Sequence, residues 1–236
     1  MQLTVTPLHN DKLRRSLAGG LLALGVALAV GACGGSSAGN GIAGEAPAAI
    51  ANAAGKAFTG VQSVHVAGTV RTSGQTVGLN MSIVSGKGAR GTIVYGGHTV
   101  QVVTVARKLY IKADAAFWRH YAGSLGSLLA GKWFELPASS NAATSFAGVL
   151  DLHSLVGNLL QGASSKGLHK GKQVKVDGQG AIGVTKAGGA TVYVATSGKP
   201  YPLELVTPGE GSVYLTAYNQ PVSLAPPSPV VKLPGQ

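Results

Sequence analysis

VQSVHVAGTVRTSGQTVGLNMSIV, residues 61–84, contains two runs in which apolar and polar residues alternate around a short turn. A period of two predicts β-strands with one apolar face, because successive side chains of a strand point to opposite sides. The central Ser-Gly-Gln, residues 73–75, is short enough to close an antiparallel hairpin. The stretch therefore predicts the first two strands of a half-buried sheet.

Further runs of the same kind follow on both sides of a different central segment. Short connections such as the Gly-Gly pair at 96–97 predict an antiparallel meander of five strands before that segment. The runs that continue the first hairpin are 89–95, 98–105 and 108–113. Strands return later in the chain at 172–177, 180–186, 190–196, 201–206 and 212–217.

The central segment, residues 114–162, has helical spacing instead. Phe117, Trp118 and Tyr121 fit one helical stripe, and the piece 132–136 reads as a short extended stretch. We predict helices at 115–130 and 146–161 and expect them to be the only available cover for the sheet. Strands, then helices, then strands indicate an α+β fold with one antiparallel sheet.

The N-terminus contains the only cysteine of the chain, at the end of an apolar run. A basic stretch (Lys12, Arg14, Arg15) and the uncharged run 17–30 are typical of an export signal. Val-Gly-Ala-Cys, residues 30–33, resembles the lipobox of bacterial lipoproteins. That resemblance implies cleavage before Cys33 and acylation of Cys33, while the alternative is a short anchor helix that happens to end in a cysteine.

These observations predict the organisation of the whole chain. Residues 1–32 are the expected signal peptide, 33–45 a flexible Gly/Ser-rich tether, 46–222 a single domain and 223–236 a Pro-rich tail that packs on nothing. Removing the three basic residues and one acidic residue upstream of Cys33 lowers the formal charge from +11 to about +9. With no second cysteine, no disulfide stabilises the domain.

The positive charge narrows the choice of partners. Basic residues are dispersed over strands and turns, without aromatic interleaving or a basic helix, so we expect no nucleic-acid partner. On a membrane-tethered domain the same charge favours anionic lipid head groups or an acidic wall polymer. A merely solvated surface is the equal alternative.

Motifs that match catalytic signatures lie in the wrong context. GxGxxG occurs at 86–91 and 178–183, but each match is followed by a strand-like run, so both are interpreted as hairpin turns. GxSxG at 35–39 lies in the predicted tether, where a nucleophile elbow has no strand before it. The six histidines form no ligand-spaced pair and the carboxylates are scattered. We therefore expect no catalytic residues, no metal site and no cofactor, and the protein is not predicted to be an enzyme.

The lipobox, the tether, VQSVHVAGTV at 61–70 and KLYIKADAAFW at 108–118 together resemble the actinobacterial lipoproteins of the LppX/LprG group, which are similar in fold to LolA and LolB. The resemblance covers roughly residues 45–220. It implies a curved antiparallel sheet, a half-barrel, covered on its concave face by helices. The enclosed cavity of that family can hold acyl chains, and some members carry lipids or lipoglycans toward the outer envelope.

Two functions follow. The first is an exported, lipid-anchored protein at the outer face of the cytoplasmic membrane that binds or carries lipid. The alternative is a tethered structural or interaction module of the envelope without a small-molecule ligand, for example one that assists a membrane-protein partner or binds the wall. The cavity candidates are the apolar residues that alternation places on one face of the sheet, with four lid residues from the helices. On the sheet they are Val64, Val66, Val77, Leu79, Met81, Ile83, Ile93, Val100, Val102, Leu109, Ile111, Val192, Val194, Leu203 and Leu205. The lid residues are Phe117, Trp118, Phe146 and Leu150.

Overall fold

In the computed structural model, which describes residues 39–72, 74–136 and 167–231, twelve strands hydrogen-bond into one sheet. The first six strands are β1 (Ser63–Thr72), β2 (Gln75–Val84), β3 (Gly88–Tyr95), β4 (His98–Val105), β5 (Lys108–Ala113) and β6 (Trp133–Leu136). The others are β7 (His169–Val176), β8 (Gln179–Thr185), β9 (Thr191–Ala195), β10 (Pro202–Thr207), β11 (Gly211–Thr216) and β12 (Val230–Val231). Cys33, Phe146, Leu150 and the predicted helix at 146–161 lie outside the described residues.

The strand order is β12-β6-β5-β4-β3-β2-β1-β11-β10-β9-β8-β7, and the sheet is curved and unclosed. Every neighbouring pair is antiparallel except β12 with β6, which run parallel. The two series of strands meet where β1 pairs with β11. The prediction of an α+β fold built on an antiparallel sheet is confirmed.

The hairpins form where the sequence places them. The first GxGxxG match begins in the β2–β3 turn and the second in the β7–β8 turn, and each continues into the following strand, so their interpretation as parts of hairpins is confirmed. Gly91, in the first match, lies opposite Met81 in the register of β2 with β3. A Cβ at this position would stand 2.1 Å from the backbone oxygen of Asn80, with φ at +156°. Only glycine lets the two strands approach this closely.

Within the described residues, three α-helices accompany the sheet: α1 (Pro47–Thr59), α2 (Ala115–Ala122) and α3 (Gly126–Leu129). The expectation that 115–130 and 146–161 are the only helical cover is wrong, because α1 buries Ile50, Ala54 and Phe58 and contacts β8. These three residues have i, i+4, i+8 spacing, and Pro47 occupies the first helical position, so a local signal was present.

The predicted helix 115–130 is divided into two. α2 begins after Asp114, whose carboxylate accepts a hydrogen bond from the backbone N–H of Phe117 at 2.8 Å. It ends at Gly123, which has φ at +59°. A short 3₁₀ turn then leads into α3. A glycine in the left-handed region ends an α-helix, which explains the break.

The predicted tether, 33–45, is wrong from Gly39 onward. Gly39 forms an antiparallel bridge with Ser197, and the side-chain amide of Asn40 donates to the carbonyl of Ala195 at 3.0 Å. Ile42 is buried in the core, and the Lys170 ammonium donates to the carbonyl of Glu45 at 3.0 Å. The ordered fold therefore begins before Ala46, because these residues complete the β8–β9 end of the sheet.

The predicted tail, 223–236, is also wrong in part. Arg90 donates to the carbonyl of Ser223 at 3.1 Å, and Val230–Val231 extends the sheet beside β6. A strand edge with unpaired N–H and C=O groups stabilises such an added strand. The tail thus follows the outside of the sheet as far as Val231.

Candidate functional site

One face of the sheet, the face that carries the side chains packed against α1 and α2, holds a continuous apolar cluster. We call it the inner face. The cavity candidates of β1–β5 lie in this cluster; Val77 is partly buried and the others are buried. The buried ones are Val64, Val66, Leu79, Met81, Ile83, Ile93, Val100, Val102, Leu109 and Ile111. Their position on one face follows from the period of two, while their role as a cavity wall stays a prediction.

The returning strands extend the inner face, with one exception. Val192, Val194 and Leu205 belong to the same cluster. Leu203 does not, so its predicted position is wrong. The register of β9 with β10 shifts between Pro202 and Glu204, and this β-bulge turns Leu203 to the other face. There it packs in a second, small cluster, which we call the outer cluster: Val176, Ala181, Ala195 and Leu203, with Tyr193 beside them.

The outer face of β1–β5 carries mostly polar side chains, together with one pair of buried cross-strand neighbours, Val103 and Tyr110. Thr69, Arg71 and Asn80 are exposed, as alternation predicts. Ser82 is half-buried, and its hydroxyl lies 3.1 Å from Nδ1 of His65 on the neighbouring strand. A further outer-face contact places the ammonium of Lys112 over the ring of Trp133, 5.9 Å from its centroid. In the described residues of these five strands, the extended apolar cluster therefore lies on the inner face.

Helix α2 brings an aromatic group to the inner face. Trp118 is 7% exposed and contacts Phe134 edge-on, with ring centroids 5.3 Å apart. Phe117, half-buried, contacts Trp118 at 5.1 Å and Tyr121 at 4.6 Å. Tyr121 itself is 50% exposed, so the predicted stripe is buried at Trp118 and open to solvent at Tyr121. Two of the four lid candidates, Phe117 and Trp118, therefore lie beside the inner face.

The indole N–H of Trp118 has no hydrogen-bond acceptor among the described residues, although it is buried. A buried indole N–H usually finds a partner, and an unsatisfied buried donor costs about 1–3 kcal/mol. Around it the cluster is apolar, with Phe134 and the partly buried Leu129 as members. Sequence reasoning singled out Trp118 as an apolar lid residue, but no sequence signal shows whether its N–H is satisfied.

A small pocket opens at the far end of β1, β10 and β11. Its volume is about 90 Å³, and it is lined by Val70, Leu205 and Val213 together with polar residues of β1, β10, β11 and the β10–β11 turn. Sites for drug-sized ligands have volumes of about 300–1,000 Å³. This pocket is therefore too small for an acyl chain.

Residues 39–72, 74–136 and 167–231 contain neither a cluster of metal ligands nor a candidate membrane-spanning helix. No group of three or more His, Cys, Asp or Glu side chains in these ranges is placed to hold a metal ion. His98 and His120 come within 6.1 Å of each other as rings, but they are only a pair. No helix in the same ranges is both long and apolar enough to cross a membrane.

Burial also raises the pKa of one tyrosine, Tyr218, two residues after the end of β11. Tyr218 stacks on Tyr201 at 4.2 Å, and its hydroxyl donates to the carbonyl of Pro202. Burial raises the pKa of Tyr218 well above its ordinary range, and the neighbouring Tyr201 adds to the rise. The pair joins the β11 end to the start of β10 and has no catalytic partner among the described residues.

Comparison with protein-family models and with curated protein sequences gives no match. Among solved structures, LprF from Mycobacterium bovis is similar with a TM-score of 0.55 and 14% identity, covering 77% of this chain and 96% of LprF. The Mycobacterium tuberculosis lipoprotein LppX has a TM-score of 0.48 and 20% identity, covering 76% of this chain and 98% of LppX. The Pseudomonas aeruginosa MucA/MucB complex is more distant, with a TM-score of 0.31, 14% identity and coverage of 76% and 58%. The resemblance predicted from the sequence is confirmed at the level of the fold.

Proposed function

We propose that the protein is an exported lipoprotein, held at the outer face of the cytoplasmic membrane by acylated Cys33, that binds or carries lipid between the inner face and its helical cover. The lipobox pattern at 30–33 supports the anchor. The fold shared with LprF supports the architecture of a curved sheet with helices on one face. The ligand class follows from the chemistry of the inner face.

The unsatisfied indole N–H of Trp118, in an otherwise apolar cluster, is the observation that carries the lipid proposal. Binding sites for small molecules are mostly apolar with a few placed polar groups. A ligand that combines an acyl chain with an ester or hydroxyl oxygen fits this arrangement. Its chain would contact the apolar residues of the inner face, and its oxygen would accept the hydrogen bond of Trp118.

A second function, a tethered structural module without a ligand, is favoured by a different observation. Val102, Val194 and Leu215, near the middle of the inner face, are fully buried. Protein cores are packed as densely as organic crystals, and a face buried to this degree is typical of a solid core. The two functions differ in whether a bulky side chain can enter the inner face at little cost.

Leu79→Trp separates the two functions. In a lipid carrier the indole fills the ligand volume, so bound lipid is lost while stability is kept. In a solid core it overpacks the cluster and costs about 1–3 kcal/mol. The matched control is Asn80→Trp, because the exposed Asn80 side chain points to the outer face of the same strand.

The measurement is native mass spectrometry of the membrane-extracted full-length protein, together with its thermal unfolding. Lipid bound to the wild type and to Asn80→Trp, but absent from a stably folded Leu79→Trp protein, supports the carrier. Wild-type protein without bound lipid, combined with destabilisation by Leu79→Trp, supports the structural module and overturns the carrier.

The role of Trp118 is tested by Trp118→Phe, which removes the N–H but keeps an aromatic ring. The chain has only two tryptophans, and Trp133→Phe on the outer face is the matched control. We expect less retained lipid for Trp118→Phe and no change for Trp133→Phe. Equal retention by both variants would remove Trp118 from the site.

The anchor is tested independently by Cys33→Ala. Without the thiol the two acyl chains cannot be attached, and two chains are needed for stable membrane binding. We expect the variant to leave the membrane fraction or to remain uncleaved. A Cys33→Ala protein that is processed and anchored like the wild type would contradict the proposed anchor.

A further inference from the structure

The antiparallel registers place one set of strand connections at the same end of the sheet. We call this end the entry rim. Its described hairpin connections are residues 85–87, 106–107, 177–178 and 196–201. The opposite rim carries the turns at 96–97 and 208–210 and the start of α2.

The chain joins the fold at the entry rim. Gly39 bridges Ser197 in the connection between β9 and β10. Asn40 fixes this junction: its backbone N–H donates to the carbonyl of Thr196 at 2.8 Å, and its side-chain amide to that of Gly198 at 3.1 Å. The point at which the N-terminal segment leaves the fold is therefore held in place.

The distance from this point to the proposed anchor is short. Gly39 lies six positions after Cys33, and six residue-to-residue steps of fully extended chain span about 20 Å. With Cys33 acylated in the bilayer, Gly39 lies within that distance of the membrane surface. The opposite rim lies one strand length further from Gly39 along the sheet.

Exposed bases occupy three of the four hairpin connections of the entry rim. Lys87, Arg107 and Lys199 are exposed and form no ion pair within the described part of the chain. The fourth connection holds the only acid of these turns, Asp177. Arg107 follows Ala106 in a turn where both residues have positive φ, 51° and 61°, so its backbone is set by the hairpin.

We propose that the entry rim lies against anionic lipid head groups, with Lys87, Arg107 and Lys199 directed at their phosphates. Basic residues beside a lipid anchor are attracted to an anionic leaflet, and the attraction acts only within about a Debye length of the surface. The inference rests on the proposed anchor at Cys33. It gives the domain one orientation, in which the entry rim faces the bilayer and α2 faces away.

Net charge alone does not predict this orientation, because the opposite rim also carries bases. Arg71, Arg119 and Lys132 are exposed there, on a strand end and in the helical segment. Non-specific attraction of a basic protein to an anionic surface treats both rims alike. A preference for the entry rim therefore reports the combined effect of the anchor and the three turn residues.

The test places a fluorescent label on each rim of the acylated full-length protein. Gln179 at the entry rim and Gln75 at the opposite rim are both exposed glutamines at strand ends. With Cys33 acylated, Gln179→Cys or Gln75→Cys supplies the only free thiol of the chain. Proteins are reconstituted in vesicles of phosphatidylcholine alone or with an equal part of phosphatidylglycerol, each containing a head-group quencher.

We expect severalfold stronger quenching at position 179 than at position 75 in the anionic vesicles, with the difference reduced by high salt or by phosphatidylcholine alone. The triple variant Lys87→Gln, Arg107→Asn, Lys199→Gln should bring the two positions close to equality. Asn replaces Arg107 because asparagine tolerates positive φ. The control, Arg71→Gln, Arg119→Gln, Lys132→Gln, loses the same charge and should keep the difference.

The outcomes separate this inference from the function on which it rests. A wild-type protein whose mass shows no acylation of Cys33 overturns the proposed anchor. An acylated protein quenched equally at both positions overturns the orientation and leaves the anchor intact. Equal effects of the two triple variants also overturn it, because they show that only net charge acts.

Discussion

Leu79 and Leu203 are both buried leucines on strands of the same sheet, with 6% and 7% exposure, yet they belong to different clusters. Leu79 lies on the inner face, in a cluster that takes side chains from α1, α2 and most of the strands. Leu203 lies in the outer cluster, whose buried members come only from β7–β10. The degree of burial of a leucine therefore does not show whether it lies on the side of the sheet that packs against the helices. The strand register shows it.

The first prediction compares truncations of these two leucines and has the largest expected effect. Leu79→Ala should lower the free energy of unfolding by about 3–5 kcal/mol, because the surrounding strands and helices cannot move in to fill the space that the leucine side chain leaves. Leu203→Ala should cost about 2 kcal/mol, because the outer cluster has few and small neighbours. Chemical denaturation of both variants is the measurement. Equal losses would show that the outer cluster is as constrained as the inner face.

The second prediction concerns Gly91, which lies opposite Met81 where β3 approaches β2 closely. Gly91→Ala should cost about 3 kcal/mol, because the new Cβ meets backbone atoms of β2 that cannot move away alone. Gly97→Ala is the control, since φ is +80° there and nothing lies within 4 Å of its Cβ. We expect about 1 kcal/mol for the control. Thermal unfolding with equal losses for both would contradict the role of crowding.

The third prediction concerns Tyr218, which is partly buried against the apolar cluster of the inner face. Tyr218→Phe removes the hydrogen bond to Pro202 and should cost about 1 kcal/mol at neutral pH. The pKa of Tyr218 is raised in the folded protein, so its hydroxyl stays neutral while that of the unfolded chain ionises above about pH 10. Stability therefore falls as pH rises past that value, and the variant should lose less of it.

The measurement for Tyr218 is unfolding at neutral pH and again in the alkaline range. Tyr110 and Tyr214, whose pKa values are also raised, remain in the variant and keep part of the alkaline loss. A variant that loses as much stability as the wild type on going to alkaline pH would contradict a neutral, buried Tyr218.

The smallest expected effect lies on the outer face. Lys108 forms an ion pair with Glu135 at 3.0 Å, and this hydrogen bond raises the pKa of Lys108. Because Lys108 is 54% exposed, water and salt screen the pair, and such pairs add little stability. Lys108→Gln should leave the melting temperature unchanged at neutral pH in both low and high salt. A clear drop confined to low salt would show that the pair contributes more than its exposure suggests.

Much of the sheet could be predicted from the chain itself. Alternation around Gly-rich turns is a local signal, and the observed bounds of β1–β5 differ from the predicted ones by no more than two residues at each end. The same local rule assigned Val66 and Met81 to one face and Asn80 to the other. Helix α1 could also have been predicted from the sequence, since its apolar residues have helical spacing.

Other features needed the assembled fold. The bulge that turns Leu203 outward depends on the pairing of β10 with β9. No pattern in YPLELV, residues 201–206, predicts it. Gly39–Glu45 and Val230–Val231 look like linker and tail in composition, yet distant strands bind them through backbone hydrogen bonds. Gly39 and Ser197 are 158 positions apart in the sequence, and Val230 and Trp133 are 97 apart, so no local pattern encodes these contacts.

What the sequence by itself determined is the period of each strand, the turns between strands and the pattern around Cys33. These depend on neighbouring residues and on backbone geometry alone. Tertiary structure alone decided which strands are neighbours, which ends of the chain complete the sheet, and that the indole N–H of Trp118 is buried without an acceptor among the described residues. The physical reason is that burial and hydrogen-bond satisfaction are properties of the surroundings of a group, and these surroundings are brought together from distant parts of the chain.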